Sequence, residues 1–169
     1  MRWCLLSFLM VACGAPAPAA HTPPASPPAN HVPQPAATEA SVEDVAVRFA
    51  TAALSGDRTT ARSLVISGDE AVTFSNKADK AEWDAEVADL VDRLGAEGSR
   101  AKQGGKQLRV ESAEVVQRRT LDPATDEKVR QRIDVAIVKI RVSTDGGPAD
   151  GPPFLFIKTA NGWKLSPKH

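Results

Sequence analysis

Few side chains in this 169-residue chain are suited to chemistry. Cysteine occurs at positions 4 and 13, histidine at 21, 31 and 169, and tyrosine is absent. No Gly-x-Ser-x-Gly elbow and no Ser/His/Asp set is present, so acyl transfer has no nucleophile motif to work from. Gly104-Gly105, between Gln103 and Lys106, reads as a helix-to-strand turn and not as a phosphate loop. His21 and His31 are ten residues apart in a proline-rich run without fixed geometry, and His169 is the last residue, a poor place for preorganised catalysis. No metal site is expected. Asp145 and Asp150 lie in a Gly-rich turn, but without the alternating oxygen ligands of a calcium loop. Asp134, between Ile133 and Val135, is the best candidate for a lone catalytic carboxylate; its parity with Arg130 and Arg132 reads more simply as an exposed, ion-paired strand face.

Cys13 is the side chain with the most specific setting. Met1-Arg2 supplies a positive start, and Leu5, Leu6, Phe8, Leu9, Met10 and Val11 form an apolar run broken only by Ser7. That run is too short for a membrane span of roughly 20 apolar residues and suits the core of a secretory signal. Leu9-Met10-Val11-Ala12-Cys13 resembles the bacterial lipobox, with Met10 where Leu is usual. The resemblance implies that Cys13 is acylated on sulfur, becomes the first mature residue and is then N-acylated. Two or more acyl chains hold a protein on a bilayer where one holds it only marginally. Ala17-Pro18-Ala19 offers an alternative, ordinary cleavage site that its prolines disfavour. Gly14 follows Cys13 where Asp would signal inner-membrane retention in enteric bacteria, which implies the outer membrane if the cell is Gram-negative.

Composition divides the remainder. Residues 14–37 hold eight Pro, eight Ala and no charged residue. Proline at this density forbids helix and favours an extended chain that could reach roughly 75 Å. Residues 1–12 therefore read as signal, 13–38 as acylated Cys and tether, and 39–169 as one domain of common size. Arg2 is the only charge before Glu39, which leaves 20 of the 21 basic residues and all 21 acidic ones in the domain. Near-neutrality argues against a nucleic-acid partner, which usually meets a strongly basic surface. The domain has no cysteine, so its core alone must hold it.

Periodicity within the domain changes once. Ser41 to Ser55 reads as a helix capped by Ser41 and stopped by Gly56, with Asp57 capping a shorter one that carries Ala61, Leu64 and Val65. The recurrence of Ser-Gly-Asp at 67–69 is explained by Gly ending one element and Asp starting the next. Ala71 to Ser75 alternates like a short strand. Asp79 opens the clearest helix, with Trp83, Val87, Leu90, Val91 and Leu94 on one side, to about Gly95 or Gly98. After Gly104-Gly105 the period falls to two. Strands are expected from Leu108 to about Thr120, Val129 to about Ser143, and Phe154 to Lys158, with Asn161-Gly162 turning into a last strand. Apolar parity slips inside the first two strands, which calls for bulges or a centre covered on both faces.

Helices followed by an antiparallel meander predict an α+β fold: about three helices on one face of a curved, four-stranded sheet. The opening helix pair joined by Ser55-Gly56-Asp57, and the closing hairpin Phe154–Lys158 and Asn161–Leu165, resemble the nuclear-transport-factor-two-like, or cystatin-like, superfamily. Small bacterial lipoproteins with such a domain are similar in layout. The resemblance implies a concave pocket, which Phe154, Phe156 and Trp163 would line; alternatively they are simply core. Arg118, Arg119, Lys128, Arg130 and Arg132 would meet at one sheet end and suit an acidic partner, lipid head groups or cell-wall polymer, or serve only solubility. No cofactor is implied. The expectation is a lipid-anchored, non-enzymatic envelope protein that binds a partner protein or a small apolar ligand. A pocket enzyme of isomerase or hydrolase type using a lone carboxylate, and a purely structural envelope component, are the alternatives.

Overall fold

The computed structural model describes residues 39–168, so Cys13, the tether with His21 and His31, and His169 lie outside the described residues. Four helices precede a four-stranded antiparallel sheet, an α+β fold with strands in sequential order β1-β2-β3-β4. Helix α1 (Val42–Ser55) begins where Ser41 Oγ accepts from the Asp44 amide and stops at Gly56, whose φ of 86° suits a residue without Cβ. Asp57 caps α2 (Arg58–Ser63) by accepting from the Thr60 amide. These boundaries follow the capping chemistry of the sequence.

Residues 68–74 do not. The stretch expected as a strand at Ala71–Ser75 is the end of a third helix, α3 (Gly68–Phe74). Ser67 Oγ accepts from the Glu70 amide at 3.3 Å, and the Glu70 carboxylate accepts from the Ser67 amide at 3.0 Å. This reciprocal capping box satisfies two orphan donors and starts the helix at Ser67 rather than at Asp69. Val72 and Phe74 alternate over too few residues to distinguish the two periods. Helix α4 (Lys80–Gln103) also departs from expectation by running through Gly95 and Gly98. Gly98 is buried against α1, where a Cβ would overlap the Leu54 carbonyl oxygen. Glycine here permits close helix crossing instead of ending the helix.

β1 (Arg109–Leu121) pairs with β2 (Ile133–Thr144) with two irregularities that leave Glu111 and Val116 without a partner on β2. These bulges account for the parity slip along β1. In β2 both parities are buried at the centre, Val135 at 1 % exposure beside Ala136 at 0 %. β2 starts at Ile133 and not at Val129; Val129 instead forms a single bridge to Ser75, beside the bonds from Asn76 to Lys128 and from Arg130 to Phe74.

β3 (Gly147–Thr159) is much longer than the expected Phe154–Lys158. Its first half takes in most of the Gly-rich stretch around Asp150 that the sequence marks as a turn, with Pro148, Pro152 and Pro153 inside the strand. β4 (Gly162–Ser166) pairs only with Leu155–Thr159, so the proline-containing half has one neighbour and forms a sheet edge, where a missing amide costs little. The core joins Phe49, Ala46 and Val42 of α1 to Val138, Phe156 and Leu165 of the sheet and to Val91 of α4.

Candidate functional site

Helix α4 presents more apolar surface than one core line needs. Trp83, Val87 and Val91 are buried, while Leu90 and Leu94 lie on the adjoining stripe and are only partly covered. Opposite them stand Phe49, Ala50 and Leu54 in the C-terminal half of α1. Ile140 and Val142 of β2 and Phe154 of β3 supply the sheet wall. The space between is a cavity of about 470 Å³, within the range of small-molecule sites. Phe49 and Phe154, both in its lining, meet edge to face with ring centroids 6.3 Å apart. Gly151 and Pro152 bulge opposite Ile140, where Lys139 faces Pro153 and Arg141 faces Asp150. The bulge bends β3 along this wall.

Charged groups reach the cavity only at its exposed rim: Arg93 and Glu97 on α4, and Asp150 on β3. Arg93 is paired with Asp89 at 3.0 Å, and Asp150 with Arg141 at 2.9 Å. The Arg141 guanidinium holds the Asp150 carboxyl below the usual range by donating to it. Among the described residues no buried side-chain nitrogen or oxygen lacks a partner, and no group of three potential metal ligands converges. The cavity wall is predominantly apolar. It offers no acid–base group inside.

The three aromatic residues proposed as pocket lining are not gathered there. Phe154 lines the cavity, Phe156 is fully buried in the core, and Trp163 lines a separate cleft of about 150 Å³ near the N-terminal end of α1. Arg118 and Lys158 lie over the Trp163 ring, at 5.9 and 5.7 Å from its centroid. Lys158 is also paired with Glu39 at 2.7 Å and Arg118 with Glu43 at 3.5 Å. Trp163 is thus already enclosed by the protein's own charges.

The basic residues are similarly divided. Arg118 stands opposite Ala136 and Arg119 opposite Val135, on alternate faces of the sheet. Arg130 donates to Asn76 Oδ1 at 3.0 Å, while Lys128 and Arg132 are exposed in the connection between β1 and β2. Asp134 is exposed and accepts from Thr120 Oγ1 at 2.7 Å. Asp145 sits in the tight turn between β2 and β3.

The apolar stripe expected on α4 includes Leu90 and Leu94 but does not separate cavity wall from core. The legible signal was the breadth of the α4 stripe. The partly buried ion pair of Lys164 with Glu70, at 2.7 Å, had no local signature because its partners are 94 residues apart. No family profile, curated protein or solved structure matches the chain.

Proposed function

We propose that this is an exported, lipid-anchored binding protein whose domain holds a small apolar ligand between α1, α4 and the outer halves of β2 and β3. The observation that carries the ligand is the cavity of about 470 Å³, apolar within and charged only at the rim. The anchor rests on Leu9-Met10-Val11-Ala12-Cys13 and on the charge-free, proline-rich tether that follows. The order of elements is the one by which the chain resembles nuclear-transport-factor-two-like lipoproteins. A lone-carboxylate enzyme is the weaker reading, because the acidic groups near the cavity are solvated and one of them is engaged by Arg141.

The test uses the full chain carrying Cys13→Ser, free of detergent, titrated with the apolar fluorophore N-phenyl-1-naphthylamine. Enhanced emission is expected, and Leu94→Trp, which fills the cavity, is expected to abolish it while circular dichroism stays unchanged. Equal emission from the filled variant would overturn the ligand site. Palmitate labelling that persists in Cys13→Ser would overturn the anchor.

A further inference from the structure

β1 is an open edge of the sheet, 13 residues long and largely exposed. Near its middle stands Val116, the one large hydrophobic residue exposed among the described residues, at 50 %. Charge along this edge is arranged in blocks. Glu114 precedes Val116 and Arg119 follows it, and neither has an ion-pair partner among the described residues.

Both lie on one face of the sheet. Glu114 is opposite Lys139 and Arg119 is opposite Val135. Lys139 and Val135 are four residues apart on β2 and so point the same way. Directly opposed residues share a face, and this carries Glu114 and Arg119 to the same side.

From this geometry we infer that the β1 edge is an interaction surface for a second copy of this chain. The two β1 strands pair antiparallel about a two-fold axis at the Val116 bulge, between Val116 and Gln117, the extra residue being what brings Glu114 and Arg119 to one face. Residues equidistant from that axis face each other. Glu114 of each copy therefore meets Arg119 of the other, twice per dimer, and the Val116 side chains flank the axis. A self-complementary patch of this kind is what a two-fold interface requires. Parallel pairing in register would set Glu114 against Glu114 and Arg119 against Arg119, so charge selects the antiparallel arrangement. The edge charges of a protected strand repel a second copy; these, of opposite sign on either side of an apolar centre, attract one. Two four-stranded sheets become one of eight strands.

Sedimentation of the full chain in a density-matched nonionic detergent tests the arrangement. The unmodified chain is expected to show a concentration-dependent dimer. Glu114→Lys alone and Arg119→Glu alone each place like charges opposite, twice, and should weaken dimerisation roughly tenfold or more. An equimolar mixture of the two variants restores both pairs and should dimerise again. Circular dichroism confirms that each variant is folded. A chain monomeric at every concentration, variants that dimerise as before, or a mixture without recovery would each overturn the inference.

Discussion

Gly98 of α4 lies against the carbonyl of Leu54 in the last turn of α1, at a distance that leaves no space for a β-carbon. The two longest helices of the domain are therefore held together by an absent side chain. Gly98→Ala should destabilise the fold by about 1–3 kcal/mol, the usual cost of overpacking, despite the better helix propensity of alanine. Urea denaturation followed by circular dichroism measures this. Gly95→Ala, where the nearest atom is the Ala53 oxygen at 3.7 Å, should be neutral or stabilising.

Glu70 gives stability an acid dependence. Burial raises its pKa, but the hydrogen bond from Lys164, the Ser67 amide and the Lys164 charge together outweigh this and lower it from 4.5. A carboxylate with a lowered folded-state pKa stabilises fully above its unfolded value and loses that contribution as pH falls through the folded one. The denaturation midpoint should therefore fall below about pH 4.5, and Glu70→Gln should flatten that part of the profile while lowering stability at pH 7. Asp57 and Asp150 shift in the same direction but are solvated, so their share is smaller.

Phe156 and Phe154 separate core from cavity wall. Phe156 is fully buried, and Phe156→Ala should cost about 3–5 kcal/mol in urea denaturation. Phe154 is partly exposed and already borders empty space, so Phe154→Ala should cost clearly less. Its effect should appear in the affinity of the apolar fluorophore, because the substitution removes the ring that meets Phe49.

How much of this was legible depended on the range of the interactions. Capping is local, and Ser41, Asp57 and Asp79 announced their helices. The same grammar at Ser67 was misread because Gly68 and Asp69 form a more conspicuous pair than Ser67 and Glu70. Gly95 and Gly98 looked like stops because a sequence does not reveal that another helix passes over them. The prolines before Phe154 resembled a turn because their tolerance in β3 depends on β4 being too short to reach them. The cavity was the least legible feature. It is a space left between Leu94, Ile140 and Phe49, and no single residue type marks it.

The brevity of β4 has one more consequence. Its outer side is occupied, since Ile66 donates to the Leu165 carbonyl and the Leu165 amide donates to Leu64. Beyond its end, Pro148, Pro152 and Pro153 thin out the amides of this half of β3 and make it a poor template for an incoming strand. Among the described residues β1 is therefore the less obstructed edge of the sheet. If two β1 edges pair as inferred, no comparable edge is left for a third copy, and the assembly would close at two.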